Sequence, residues 1–173
     1  MLDSVTGLLP RRLGELNLQT LMKAAARKVT TLGVLFIDAD HFKDINDTLG
    51  HRTGDAVLRM VAQSTASAVR RGDIPIRWGG DEFLVLLPGV DEIGLSAAAE
   101  RVRILVDNSW IQEGETQVRV SVSVGATMAL PTETVEDLVD RSDRLMYASK
   151  RRGGNCGTGD LGDLTNSAKG HER

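Results

Sequence analysis

Acidic side chains follow two short apolar segments of the sequence, where they could bind a metal or assist proton transfer. One apolar run ends in Asp38, and a second acidic group, Asp81 and Glu82, follows the pair Gly79-Gly80. Glycines let a ligand approach the backbone closely, and hard divalent cations prefer carboxylate oxygens. If the two segments are neighbouring strands, their acids could hold Mg²⁺ against a triphosphate, the palm-like arrangement expected of metal-assisted phosphoryl transfer.

Each acidic group also has a purely structural interpretation. Residues 38–47 could form a polar loop that caps the next element, and a Gly-Gly turn by itself is common in hairpins. The residues of either segment, taken alone, leave both interpretations open.

The elements that must position these acids alternate between helix and strand. The first apolar run is short and rich in branched residues, which predicts a strand buried on both faces. The glycine pair predicts a hairpin, and Thr53 is a plausible N-cap for a helix. The predicted strands are 32–38, 74–78, 83–87 and 117–129. The predicted helices are 10–28, 53–71, 91–108 and one that begins at Thr134. This order favours an α/β class, an α+β sandwich with a central sheet flanked by helices.

Composition limits the kind of protein this can be. The chain has 173 residues, 41% of them hydrophobic and 26% charged, with a net charge of −3, which suits one globular domain. We expect no nucleic-acid partner, because a basic surplus is missing. We also expect no direct membrane contact, because the apolar runs are too short to span a bilayer.

Two further features concern location and domain limits. Cys156 is the only cysteine, which favours a reducing compartment. We therefore expect a cytoplasmic domain, or the cytoplasmic part of a larger and even membrane-anchored protein. Residues 157–173 are rich in glycine and poor in hydrophobic side chains, which predicts a flexible tail or linker after a domain of residues 1–156.

Several motifs, in order along the chain, resemble the GGDEF family of diguanylate cyclases. They are an opening segment from Asp3 to Arg12, then Asp38-x-Asp40-x-Phe42-Lys43-x-x-Asn46-Asp47, Gly50-His51-x-x-Gly54-Asp55, Arg77-Trp78-Gly79-Gly80-Asp81-Glu82-Phe83 and Tyr147-x-x-Lys150-x-x-Gly153-x-Asn155. The resemblance covers about residues 3 to 156.

The resemblance implies a fold and an activity. The fold would be a nucleotidyl-cyclase or palm-like domain with a mostly antiparallel central sheet. The activity would be the condensation of two GTP molecules into cyclic di-GMP and two pyrophosphates. Mg²⁺ would be the cofactor, with Mn²⁺ able to replace it, and a homodimer would bring two substrate sites face to face. The alternative is a non-catalytic module that binds GTP or cyclic di-GMP.

The resemblance also implies roles for individual residues. The implied metal ligands are Asp38, the carbonyl of Ala39, Asp81 and Glu82. The implied catalytic residues are Asp81, Glu82 and Lys43. The implied substrate-binding residues are Phe42, Lys43, Asn46, His51, Asp55, Gly79, Gly80 and Lys150. Within that set, Asn46 and Asp55 would select guanine, because a carboxylate accepts from the adjacent N1–H and 2-amino donors that adenine lacks.

The resemblance also implies a second site, just before the glycine signature, residues Gly79-Gly80-Asp81-Glu82-Phe83. Arg70 and Asp73 have the Arg-x-x-Asp spacing of the family's product-inhibition site, and Arg101 is a candidate further contact. The structural alternative is a helix C-terminus with favourable arginines followed by a turn.

One departure from the family pattern is Gly154, where an arginine commonly contacts phosphate; Arg151 or Arg152 could substitute for it.

Overall fold

The computed structural model describes residues 1–164, in which one seven-stranded sheet lies between two layers of helices. The strands are β1 (Leu9–Pro10), β2 (Leu32–Ala39), β3 (Ile74–Arg77), β4 (Glu82–Pro88), β5 (Ile111–Glu113), β6 (Thr116–Val118), β7 (Val122–Met128), β8 (Cys156–Gly159) and β9 (Gly162–Asp163). The helices are α1 (Arg11–Ala26), α2 (Phe42–Leu49), α3 (His51–Ala68), α4 (Glu92–Asp107) and α5 (Val135–Arg151).

The sheet has the order β1-β3-β4-β2-β7-β8-β9. Four neighbouring pairs are antiparallel, and the pairs β1–β3 and β7–β8 are parallel. The expectation of a mostly antiparallel sheet flanked by helices is therefore confirmed. Strand β2 lies at the centre between β4 and β7, so the residue at its end is placed by two neighbours at once.

Strand β2 is buried on both faces, as its apolar run predicts. Because side chains alternate along a strand, Leu35 and Ile37 face one core, while Val34 and Phe36 face the other. The first core is closed by α3 and α4, and the second by α1 and α5. This double burial fixes the strand that carries Asp38.

The later helices begin where the sequence predicts them. The side chain of Asp91 accepts a hydrogen bond from Gly94 N (2.7 Å) and caps α4. The side chain of Thr134 accepts one from Asp137 N (3.1 Å) and caps α5. Both caps satisfy backbone donors that the first helical turn leaves free.

The segment after β2 differs from the sequence prediction. The polar stretch 42–49 is helix α2, which was not predicted. Its apolar residues Phe42, Ile45 and Leu49 have helical spacing, but the segment is only eight residues long and only Phe42 is buried. The predicted N-cap Thr53 is wrong: it lies buried inside α3, which begins at His51 after Gly50. Gly50 has a φ of 86°, and this backbone conformation, which suits glycine, separates α2 from α3.

The predicted strand 117–129 is two strands. Its first part, β6, pairs with β5 in a separate two-stranded sheet, and its second part, β7, pairs with β2. The valines at 118, 120, 122 and 124 all enter one core, so the period-two pattern continues while the chain changes sheets.

The predicted tail from residue 157 differs from the structure over 157–164. These residues contribute to β8 and β9, which extend the sheet beyond β7. The backbone of these residues pairs in the sheet, and Leu164 packs against Gly157 and Gly159, where an added Cβ would lie only 3.1 Å and 2.9 Å from its side chain. Residues 165–173, the rest of that prediction, lie outside the described residues.

The structure also bears on membrane contact. Within residues 1–164, each helix is too short or too polar to cross a bilayer.

Candidate active site

The two acidic strand ends meet at one edge of the sheet. Asp38 on β2 lies directly opposite Glu82 on β4, and Ala39 N donates a hydrogen bond to Asp81 O (3.2 Å). The antiparallel register thus brings the end of one strand to the start of the other. The sequence-based prediction that Asp38 and the glycine signature are neighbours is confirmed.

The signature turn, residues 78–81 between β3 and β4, is held by Arg77, a residue with no role predicted from the sequence. Its guanidinium donates to Gly79 O (3.2 Å), Gly80 O (2.8 Å) and Asp3 Oδ1 (3.0 Å). At Gly79 an added Cβ would lie 2.7 Å from Glu82 Oε2, so this glycine makes room for the acid. Gly80 has open space around it and is exposed, which leaves the turn accessible to a ligand.

Lys150 reaches from the end of α5 into the acidic cluster. Its Nζ lies 2.7 Å from Asp38 Oδ1, 3.3 Å from Ala39 O and 3.3 Å from Asp40 Oδ1. The structure therefore places this predicted phosphate contact against the two predicted metal ligands on β2.

Asp40 organises the site, although the sequence analysis gave it no function. Its carboxylate accepts hydrogen bonds from Ser121 Oγ (2.7 Å), Ser123 Oγ (2.6 Å) and Asn155 N (2.8 Å). The motif spacing around Asp40 and Asn155 was a signal for these positions. The serines carried none, because only the fold brings them alongside.

The acids at this edge differ in their pKa values. Burial, together with the nearby Asp81 carboxylate, raises the pKa of Asp38 to about 6, and the hydrogen bond from Lys150 only partly opposes this. Burial and the charges of Asp143 and Asp81 raise the pKa of Glu82. The cluster is therefore short of positive charge.

Hydrogen bonding reverses this trend at Asp40. Burial alone would raise the pKa of this carboxyl group, but the bonds from Ser123, Ser121 and the Asn155 backbone outweigh it and hold the pKa below its ordinary value. For the Lys150 ammonium, burial is outweighed by the neighbouring Asp38 and Asp40 carboxylates, so its pKa is raised. Asp40 and Lys150 are therefore charged at neutral pH.

The donor set fits a hard divalent cation. Asp38 and the carbonyl of Ala39 already face one ammonium group, and Asp81 and Glu82 lie beside them. Mg²⁺ and Mn²⁺ favour such oxygen ligands. In the described part of the chain, no three His, Cys, Asp or Glu side chains are already arranged as a metal site. Lys150 occupies the space between the oxygens instead.

Helix α2 carries three of the predicted substrate-binding residues. Phe42 is buried and anchors the helix to the core. The Lys43 side chain is 90% exposed and lies 3.7 Å from Asp47. Asn46 has its Oδ1 atom buried and without a hydrogen-bond partner. A buried orphan acceptor costs about 1–3 kcal/mol, which marks this amide as a candidate ligand contact.

The start of α3 lies beside that amide. A Cβ added at Gly54 would overlap Asn46 Oδ1 and approach Phe42 Cζ to 3.2 Å. His51 and Asp55 are exposed on the same helix. Asn46 and Gly54, the residue that precedes Asp55, are thus in contact.

The predicted inhibitory residues lie at the opposite end of the β3–β4 hairpin from the signature turn. Asp73 precedes β3, and its side chain is only 2% exposed. Its Oδ2 accepts a hydrogen bond from Arg70 N (2.8 Å). The turn after a helix C-terminus, which was the structural alternative to an inhibitory site, is therefore present. The side chains of Arg70 and Arg101 nevertheless line one surface pocket with Asp91 and Gly94, and Arg101 Nε donates to Ala68 O (2.9 Å).

Two arginines were considered as substitutes at Gly154. Arg151 is exposed at the last position of α5. Arg152 binds the C-terminal strands through Gly157 O (2.8 Å), Thr158 Oγ1 (2.6 Å) and Asp163 Oδ2 (2.7 Å). The guanidinium of Arg152 is therefore engaged at the edge of the sheet.

Comparison with known proteins gives a consistent result. Residues 1–156 match the family described as diguanylate cyclase, GGDEF domain. The chain is 39% identical over 155 residues to diguanylate cyclase DosC of Escherichia coli, which covers 89% of this chain and 34% of DosC. It is 39% identical over 160 residues to the response regulator PleD of Caulobacter vibrioides, which covers 91% of this chain and 35% of PleD.

Solved structures agree in fold. The GGDEF domain of DgcB from Caulobacter crescentus, solved in complex with c-di-GMP, has a TM-score of 0.87 and 30% identity, covering 91% of this chain and 94% of that chain. The chain spans about a third of the length of the two curated relatives named above.

Proposed function

The chain belongs to the GGDEF domain family, and we propose that it condenses two GTP molecules into cyclic di-GMP, releasing two pyrophosphates. The observation that carries this proposal is the meeting of Asp38 with Asp81 and Glu82 at one sheet edge. These acids suit metal-assisted attack by a 3′-hydroxyl group on an α-phosphate.

The proposed roles follow from the chemistry of each group. Asp38, the carbonyl of Ala39, Asp81 and Glu82 would hold Mg²⁺ or Mn²⁺, which when bound lowers the pKa of the attacking hydroxyl and stabilises phosphate charge. Asp81 accepts the 3′-hydroxyl proton, with Glu82 beside it. The phosphates lie near the exposed turn at Gly80. The ammonium groups of Lys43 and Lys150 face them and neutralise the charge of the leaving pyrophosphate.

The contacts of Asn46 support a guanine site between α2 and α3. The orphan Oδ1 acceptor gains a partner only from a base that offers a donor, and guanine offers two adjacent donors. Asp55 accepts from the same edge, and His51 lies one helical turn earlier. ATP leaves these acceptors unpaired, which discriminates against it.

One site binds one GTP, so two chains are needed to form two 3′–5′ linkages. A two-fold homodimer with facing sites presents each 3′-hydroxyl to the α-phosphate of the other nucleotide. The exposed position of the signature turn at Gly80 is compatible with this approach.

The pocket lined by Arg70 and Arg101 supports product inhibition. Guanidinium groups bind phosphate and the guanine edge in a forked geometry, and cyclic di-GMP offers both. The buried Asp73 holds the turn that positions Arg70.

Turnover provides the direct test. An enforced dimer incubated with GTP and Mg²⁺ forms cyclic di-GMP, and Asp81→Ala lowers the rate by at least about 10²-fold, because it removes the proposed base and a metal ligand. Retained turnover in that variant would contradict the role of Asp81. Product binding without turnover in the native dimer would instead identify a non-catalytic module.

Calorimetry tests the inhibitory site separately. Arg70→Ala is expected to weaken cyclic di-GMP binding by about tenfold or more, since a charge-assisted contact is worth roughly 1.5–3 kcal/mol. Turnover at low product concentration stays unchanged. Equal affinity in the variant and the native chain would remove Arg70 from this site.

A further inference from the structure

We propose that Lys150 is an internal competitor for the metal: without metal its ammonium group takes the cation position, and a bound metal displaces it toward the phosphates. This inference rests on the proposed function, because it takes Asp38 and the Ala39 carbonyl as metal ligands. It adds a second position and a second role to a residue otherwise assigned only to substrate.

The geometry of the ammonium group carries the inference. An ammonium group has three N–H donors, and Nζ has three oxygen neighbours: Asp38 Oδ1 (2.7 Å), Ala39 O (3.3 Å) and Asp40 Oδ1 (3.3 Å). Two of these oxygens are the predicted metal ligands on β2. A metal bound to both would lie in the volume that Nζ fills, so the two cations exclude each other.

The charge of the cluster explains why the position needs an occupant. Asp38 lies opposite Glu82 and next to the turn that carries Asp81, and Lys150 is the cation bonded to the carboxylate of Asp38. Unpaired acids in a partly buried site repel one another. The lysine therefore stabilises the metal-free cluster, and an incoming metal must replace that charge.

The surroundings allow the lysine to leave without disturbing the fold. Asp40 keeps three hydrogen bonds, from Ser121, Ser123 and Asn155, when Lys150 departs. Lys150 itself is the second-last residue of α5, and its side chain is 28% exposed. A flexible four-carbon stem can then swing the ammonium group outward.

Metal titration without nucleotide is the test. Free Mn²⁺ is followed by electron paramagnetic resonance in the native chain, in Lys150→Met and in Arg144→Met. Arg144→Met is the matched control, because it removes one exposed positive charge from the same helix. We expect Lys150→Met to bind Mn²⁺ at least about tenfold more tightly, equivalent to loss of a competing contact of roughly 1.4 kcal/mol, and the control to change by less than about twofold.

Thermal unfolding gives a second readout. In the presence of a chelator, Lys150→Met unfolds at a lower temperature than the native chain, and Mn²⁺ raises its Tm more than it raises the native Tm. Mn²⁺ affinity in Lys150→Met that is equal to or weaker than native would overturn the proposal, as would an equal gain in Arg144→Met.

A further variant separates this proposal from the proposed function. If Asp38→Asn abolishes Mn²⁺ binding while Lys150→Met binds as the native chain does, only the competition is refuted. If the native chain, Lys150→Met and Arg144→Met all fail to bind Mn²⁺ and the enforced native dimer forms no cyclic di-GMP, both proposals fail.

Discussion

The acidic strand ends and the helix pair α2–α3 contribute to the same site in different ways. At the strand ends, Asp40 has four partners within 3.3 Å, and Asp38 is paired with Lys150. On the helices, Lys43 projects into solvent and the Oδ1 atom of Asn46 has no partner.

The difference follows from what each region must do before substrate arrives. Acids packed together repel one another, so the fold supplies partners that hold them in place. On the helix pair, groups proposed to recognise a nucleotide can gain partners from it, and the fold leaves the Lys43 side chain in solvent and Asn46 Oδ1 without a partner. Three substitutions, at Asp40, Asp38 and Gly54, test this difference between the two regions.

The largest effect is expected at Asp40, in the framework of the strand ends. Asp40→Asn replaces an acceptor with an amide whose NH₂ meets the hydroxyl and N–H donors of Ser121, Ser123 and Asn155. We expect the free energy of unfolding to fall by about 2–4 kcal/mol, because a buried hydrogen-bonded charge is lost. Urea denaturation measures this change.

The matched control for Asp40 is the same substitution on the helix pair. Asp55→Asn, at an exposed position on α3, should leave the free energy of unfolding within about 0.5 kcal/mol of native. Equal losses in the two variants would mean that the strand ends are no more internally supported than the helices.

The next effect is a pH dependence at Asp38. Its pKa is raised to about 6 in the folded chain from an ordinary value of 3.8, so the folded state binds more protons than the unfolded state in that window. Its contribution to stability is therefore lost as pH rises from about 4 to 6. As pH rises from about 4 to 6, the free energy of unfolding of Asp38→Asn should increase relative to that of the native chain by up to about 2 kcal/mol. This is less than the full value of about 1.4 kcal/mol per pKa unit, because solvent screens the charge.

Urea denaturation between pH 4 and 7, with a chelator present, measures that gain. Asp40 and Glu82 titrate in both chains, so the difference between the two curves isolates Asp38. A constant difference across the range would contradict the raised pKa.

The smallest effect is expected at Gly54, within the helix pair. In Gly54→Ala the added methyl group overlaps Asn46 Oδ1 and forces the amide out of place. We expect KM for GTP to rise about tenfold, the loss of roughly one good hydrogen bond, while kcat at saturation stays within about twofold. Steady-state kinetics with GTP measures both.

The control removes the Asn46 side chain, with which the added methyl group overlaps. In an Asn46→Ala background the overlap with Oδ1 is gone and only the 3.2 Å approach to Phe42 Cζ remains. Adding Gly54→Ala should then leave KM unchanged, and alanine's better helix propensity should stabilise α3 by up to about 1 kcal/mol. If KM rises equally in both backgrounds, Gly54 does not act through Asn46.

The buried strands and the position of the site were predictable because local patterns encode them. The apolar run before Asp38 and the glycine pair before Asp81 predict two strands and a hairpin, and the structure pairs them. Helix α2 was missed because it is only eight residues long and mostly polar, so the helical spacing of Phe42, Ile45 and Leu49 gives too short a pattern to recognise.

Contacts between distant segments could not be predicted in the same way. Ser121 and Ser123 reach Asp40 across 81 and 83 positions of the chain, and no local pattern marks them. The strand β8 escaped prediction because its stability comes from backbone pairing and from the packing of Leu164 against glycines.

The three bonds of Arg77 have a mechanical consequence. One guanidinium ties Asp3 to the carbonyls of Gly79 and Gly80, and β1 pairs with β3 immediately before the signature turn. The opening segment and the signature turn are therefore mechanically coupled. A displacement of Asp3 would weaken its bond to Arg77, and we expect this to loosen the bonds to the two glycine carbonyls and to shift Asp81 and Glu82 relative to Asp38.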